Sequence, residues 1–106
     1  FAMAGIWQPW TDQETGEHLV SFAIVTTAAN ELMAQVHNKK KRMPLILDDQ
    51  LAKEWLTPGL PRQAIERIVR FQYPSDAMKA FTIAKDFRNA LDPIAPATYD
   101  FLPEIL

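Results

Sequence analysis

The sequence predicts an α+β fold, and three observations carry that expectation. Its two longest β-favouring runs, residues 1–7 and 18–27, come first and are separated by a turn-rich stretch. Segments with helix-capping signals follow them. The elements then succeed one another without the regular strand–helix–strand rhythm of a parallel sheet.

Residues 1–7 are apolar and read as a buried strand, in which Gly5 permits a close backbone approach or a bulge. Pro9, Asp12 and Gly16 mark residues 8–17 as a hairpin loop. Val, Phe, Ile and Thr dominate residues 18–27, the partner strand of an antiparallel pair. Asn30 can cap a short helix over residues 31–35, because its side chain can accept from a free backbone N–H. Residues 37–42 read as a loop, and residues 44–47 as a short apolar strand. Asp48 is the N-cap of a helix reaching Trp55 or Leu56, with Asp49 favourable in its first turn. Thr57-Pro58-Gly59 stops that helix. Pro61 suits the first turn of the next, which runs to about Arg70 with Ala64, Ile65, Ile68 and Val69 on one stripe. Residues 71–73 and 78–83 look extended, and the chain after Asp86 is Pro-rich and irregular to its end.

At 106 residues the chain fits one small domain or part of a larger one. A net charge of −2 argues against a uniformly basic nucleic-acid-binding face, although Lys39, Lys40, Lys41 and Arg42 form one dense cationic run. No stretch reaches the roughly 20 apolar residues of a membrane span, and no basic leader of a signal peptide opens the chain. The absence of cysteine excludes disulfides, thiolate metal sites and a thiol nucleophile from these residues, and suits a reducing cytoplasm. Opening on Phe1, inside a strand-like run, suggests a processed, truncated or split polypeptide.

His37 is the first candidate for chemistry. An imidazole can donate or accept a proton near neutral pH, and cations beside it favour the neutral base. Taken alone, a histidine here reads more simply as a surface or structural residue. Lys39 to Arg42 repel one another and are not needed for folding; over a groove they could contact phosphates, Arg42 with two prongs. A solvated loop is the plain alternative. Trp7 and Trp55 fit core positions, and Trp10 is the least committed aromatic. Thr26, Thr27 and Asn30 could line a site, but a strand end and a helix cap account for them. His18 opens a strand without a nearby partner. Neither metal-ligand spacing nor a phosphate-binding glycine loop nor a serine-nucleophile elbow occurs, so no metal or cofactor is expected.

Four segments in order carry a resemblance: Phe1-Ala2-Met3-Ala4-Gly5-Ile6-Trp7, then Ile24-Val25-Thr26-Thr27-Ala28-Ala29-Asn30, then His37 followed by Arg42-Met43-Pro44, then Leu45-Ile46-Leu47. Each alone is weak, but the ordered set over about the first sixty residues resembles the C-terminal portion of the SOS response-associated peptidase (SRAP) domain. Residues 78–83 are similar to that family's late strand, while 84–106 depart from its tail. The resemblance implies a mainly antiparallel, open barrel-like sheet with interspersed short helices, of which residues 1–106 are part. It implies a protein that senses abasic sites in single-stranded DNA and links to them through an N-terminal cysteine, exposed by removal of its own initiator methionine. His37 then matches the catalytic histidine and Arg42 a DNA-contacting arginine, with Lys39, Lys40 and Lys41 widening the usual gap between them. The implied partners are abasic single-stranded DNA and the N-terminal half of the same domain; the implied location is the cytoplasm, at damaged DNA. A non-catalytic single-strand-binding module and a protein-interaction domain stay open beside it.

Overall fold

Three bent strands carry the fold, and each breaks at one residue. The first comprises β1 (Ala2–Met3) and β2 (Gly5–Thr11), broken at Ala4; the second β3 (His18–Ile24) and β4 (Thr26–Ala28), broken at Val25; the third β5 (Arg42–Pro44) and β6 (Ile46–Leu47), broken at Leu45. The halves pair cyclically and antiparallel: β2 with β3, β4 with β5, and β6 with β1. At the centre the three break residues close a ring of backbone hydrogen bonds. Ala4 N–H donates to the Leu45 carbonyl (2.9 Å), Leu45 N–H to the Val25 carbonyl (2.8 Å) and Val25 N–H to the Ala4 carbonyl (3.0 Å). Three ribbons thus meet with these buried polar groups paired, as an apolar junction requires. This computed structural model describes residues 1–103, and no barrel closes among them.

The core lies on the junction. Ala4, Leu45, Leu47 and Ile68 are buried, and Val25, Leu51, Trp55, Leu60 and Phe71 pack around them. Leu51 and Trp55 come from α2 (Asp49–Trp55), and Ile68 from α3 (Arg62–Val69). Asp48 caps α2 by accepting from Leu51 N–H at 2.8 Å, as expected. Trp55 packs as the sequence suggests, and its indole N–H donates to the Gly5 carbonyl at 3.1 Å. A Cβ at Gly5 would lie 3.3 Å from the Ala23 carbonyl oxygen, so the glycine serves a close backbone approach. Arg67 of α3 is ion-paired with Glu54 of α2 on the exterior.

The α+β class holds, and the differences from expectation lie in the bounds. Residues 8–11 are strand, not loop, so the turn is confined to residues 12–17. There the Asp12 carboxylate accepts from Glu14 N–H at 2.8 Å, and Gly16 takes φ 74°. Pro9 is tolerated in β2 because it opposes Val20 at a non-hydrogen-bonded position, the phase being fixed by Asp12 N–H donating to the Glu17 carbonyl, and its nitrogen faces an edge that no other strand among the described residues covers. Pro61 is the N-cap of α3 and lies just outside its first turn. Residues 78–83 are extended but join no strand; a single bridge links Ile83 to Pro96. The expectation of irregular chain at residues 104–106 lies outside the described residues. Trp7, assigned to the core from sequence, is 70% exposed, because β2 and β3 project from the junction with no third layer against them among the described residues.

Candidate functional site

His37 stands at the end of α1 (Glu31–Val36), a helix whose two ends are fixed differently. At its start Asn30 accepts from Met33 N–H at 2.9 Å. At its end His37 is the C-cap, with its N–H donating to the Met33 carbonyl at 2.8 Å. The basic loop then closes tightly: Lys41 N–H donates to the His37 carbonyl at 2.9 Å, and Lys41 takes φ 50°. A left-handed residue here reverses the chain so that β5 starts directly beside α1.

That reversal brings His37 onto Arg42. The imidazole Nδ1 lies 2.9 Å from the Arg42 carbonyl oxygen and 3.2 Å from the Arg42 backbone nitrogen. Both groups are available because of the ladder phase. Ala29 N–H donates to the Lys41 carbonyl, so the opposed pair Ala28 and Arg42 falls at a non-hydrogen-bonded position. The Arg42 backbone therefore faces away from β4, towards the histidine. With its proton on Nδ1 the ring donates to the Arg42 carbonyl and keeps its lone pair on Nε2; in the other tautomer Nδ1 accepts from Arg42 N–H, so the Arg42 backbone holds the ring in either form. His37 is exposed, so Nε2 is open to a ligand.

The Arg42 side chain turns back across the ribbon. Its Nη2 donates to the carbonyl and to the hydroxyl of Thr26, both at 2.8 Å. One guanidinium nitrogen is thus spent on β4, while the remaining donors of the fork stay exposed. Lys39, Lys40 and Lys41 are exposed and make no ion pair among the described residues. His37, Arg42 and the three lysines are brought together on one loop and strand end. Thr26, which sequence reasoning explained as a strand end, joins them through Arg42. His18 does not: its Nδ1 contacts Thr11 Oγ1 at 2.8 Å in the hairpin.

Beneath the loop sits a polar knot that the sequence only partly announced. Asn30 is 7% exposed and Thr27 6%. Besides capping α1, Asn30 donates from Nδ2 to the Tyr73 carbonyl at 2.5 Å and to Met78 Sδ at 3.3 Å. Ser75 Oγ accepts from Leu32 N–H at 3.2 Å, and Gln72 Nε2 donates to the Ala28 carbonyl at 3.1 Å. Nothing in the local sequence of residues 72–78 signals these contacts, which join positions more than forty residues apart. Alongside α1 runs an apolar groove of 670 Å³, lined by Val36, Asn38, Lys79, Phe81, Ile83 and Ile94. Val36 and Asn38 are the chain neighbours of His37, so the groove borders the candidate site.

Known proteins resemble this chain in sequence and in fold. Residues 1–90 match the pattern of the SOS response associated peptidase (SRAP) family. The abasic site processing protein YoqW of Bacillus subtilis is 37% identical over 84 residues, which cover 79% of this chain and 36% of that protein. The abasic site processing protein HMCES of Gallus gallus is 40% identical over 70 residues, covering 64% of this chain and 20% of that protein. A crystal structure of a protein from Bacteroides thetaiotaomicron superposes with a TM-score of 0.84 at 34% identity, over 92% of this chain and 44% of that one. The chain therefore spans about a third of the length of the Bacillus relative. With the family pattern matched over residues 1–90, this chain belongs to the SRAP family.

Proposed function

We propose that this chain supplies the acid–base histidine and a phosphate-binding loop to a site that captures abasic sites in single-stranded DNA. The observation that carries the reading is the histidine itself. His37 Nδ1 is held by the Arg42 backbone, its Nε2 is open, and a cluster of cations that form no ion pair among the described residues lies beside it. The relatives' names, abasic site processing proteins, support the substrate.

An abasic deoxyribose is mostly a closed hemiacetal. Opening it requires removal of the C1′ hydroxyl proton and delivery of a proton to the ring oxygen as the C1′–O4′ bond breaks. A neutral Nε2 can take the first proton and, as imidazolium, give one back. The exposed aldehyde then condenses with an N-terminal cysteine amine, releasing water, and the thiol adds across the resulting C=N bond to close a ring. This chain holds no cysteine. The nucleophile belongs to an N-terminal half of the domain outside the matched third, and that half is freed for reaction by removal of its own initiator methionine. Lys39, Lys40, Lys41 and the free donors of Arg42 hold the strand through its phosphates.

The β2–β3 hairpin supports the need for such a half. Ile6, Trp7, Val20 and Phe22 are all more than half exposed. Residues 5–24 contain neither Lys nor Arg, so this surface suits an apolar polypeptide face and not DNA. The test is covalent capture by the full-length protein of abasic single-stranded DNA, with intact DNA of the same sequence as control. An adduct that survives denaturation with the abasic strand alone is expected. Binding that is salt-sensitive, equal for both strands and never covalent would instead establish a non-catalytic single-strand-binding module, which the exposed lysines also favour.

A further inference from the structure

The imidazole is held at the end of a helix of six residues. Such a helix is far shorter than the roughly 12–15 residues at which isolated helices become even marginal in water. Its geometry is therefore set by what grips it from outside. Asn30 is the grip. Its carboxamide makes three contacts from a buried position: Oδ1 accepts from Met33 N–H at 2.9 Å, and Nδ2 donates to the Tyr73 carbonyl at 2.5 Å and to Met78 Sδ at 3.3 Å. Its backbone N–H lies 3.3 Å from Met43 Sδ, and its carbonyl accepts from Ala34 N–H at 2.8 Å. One residue thus links β5, the first turn of α1 and the segment at residues 73–78. The path onward to the imidazole is short. Met33, whose N–H Asn30 caps, offers its carbonyl to His37 N–H at 2.8 Å. His37 in turn reaches the backbone of Arg42, which adjoins the Met43 that packs against Asn30.

We propose that Asn30 is a positioning residue for the His37 imidazole, acting through α1 and anchored on the chain at Tyr73 and Met78. The proposal rests on the reading of His37 as the acid–base group, but concerns its placement. Both ends of α1 are tied to β5, by Asn30 at one end and His37 at the other, so the ring holds its contact with Arg42 only while the first turn is docked. The Tyr73 carbonyl supplies that docking from a segment more than forty residues away. Ser75 reinforces it by accepting from Leu32 N–H in the same turn.

The test reads the ring directly. The full-length protein is labelled with ¹⁵N at histidine, and the His37 ring signals are assigned by their loss in His37→Gln. At a pH where the imidazole is neutral, the native protein is expected to show His37 mainly with its proton on Nδ1. Asn30→Ala is expected to shift His37 towards the Nε2–H tautomer that an unconstrained imidazole prefers, with His18 unmoved. Asn30→Asp keeps the capping acceptor and is expected to restore the native tautomer in part. Should Asn30→Ala not fold, Asn30→Asp and Ser75→Ala carry the test, each with a smaller shift in the same direction. An unchanged His37 tautomer in every folded variant would overturn the proposal and leave Asn30 a structural cap. Capture kinetics separate this from the function itself. A displaced ring should slow the rate at saturating abasic DNA roughly tenfold or more, while half-saturation changes little. A shifted tautomer with an unchanged rate would uphold the positioning role and refute the catalytic role of His37.

Discussion

At the scale of single residues, the site depends on which backbone groups are left free. His37 finds the Arg42 carbonyl because Arg42 occupies a non-hydrogen-bonded position of its ladder. The spacing of His37 and Arg42 is visible in the sequence, but the phase of the ladder is not, since register follows from pairing with β4. The cap at Asn30 is legible, because an Asn preceding a short apolar run offers an acceptor to free N–H groups. Its second role is not, because Tyr73 and Met78 reach it only through the tertiary fold. The lysines carry a prediction of their own. Replacing Lys39, Lys40 and Lys41 together by Gln should weaken binding to single-stranded DNA about equally across sequences. The slope of log affinity against log salt should become shallower by roughly 0.7 for each phosphate that the lysines no longer neutralise. An unaltered slope in a salt titration would show that the three side chains face solvent without touching DNA. Arg42→Lys is a different change: a lysine cannot both bridge the Thr26 carbonyl and hydroxyl and keep a fork for phosphate.

At the scale of elements, helix ends are legible in the sequence and strand breaks are not. Asp48 and Asn30 cap the helices that the sequence assigns to them, since capping is a local event written within four residues. Removing the Asp48 cap by Asp48→Ala should cost about 1 kcal/mol of stability, read as a lower denaturant midpoint at unchanged slope. A midpoint equal to that of the native protein would show that packing of Leu51 and Trp55 alone fixes α2. The breaks at Ala4, Val25 and Leu45 are another matter. Ala4 and Leu45 lie within apolar stretches and Val25 ends one before Thr26, and only the ring of hydrogen bonds among the three explains why a strand exchanges partners there. Periodicity reports which residues favour a strand, not where that strand leaves one neighbour for the next. Pro9 misplaces the first turn for a related reason, since a proline reads as a loop unless the open edge of its strand is known.

At the scale of the molecule, the described residues divide into a packed junction and a projecting ribbon. Leu45 and Ile68 are fully buried, whereas Trp7, Val20 and Phe22 on the hairpin are at least 70% exposed. A two-stranded ribbon is marginal by itself, and apolar side chains on it are an open invitation to a covering layer. The apolar neighbours of Trp7 suggest a core role, which the proposed N-terminal half would complete by covering the hairpin. An isolated 106-residue chain should therefore show iodide-accessible tryptophan emission from Trp7 and Trp10. In the full-length protein the same emission should be shielded and blue-shifted. Equal quenching in both would mean that the hairpin stays uncovered and that the proposed N-terminal half packs elsewhere.

Whether His37 provides the proton transfers for abasic-site capture comes down to one rate comparison. Full-length protein and its His37→Ala variant would be mixed with single-stranded DNA bearing one abasic site, and the covalent adduct followed over time on denaturing gels. An adduct is expected with both proteins, formed about 10²-fold or more slowly by the variant, with DNA affinity little changed. Adduct formation at equal rates would contradict the acid–base role and return His37 to a structural place at the end of α1.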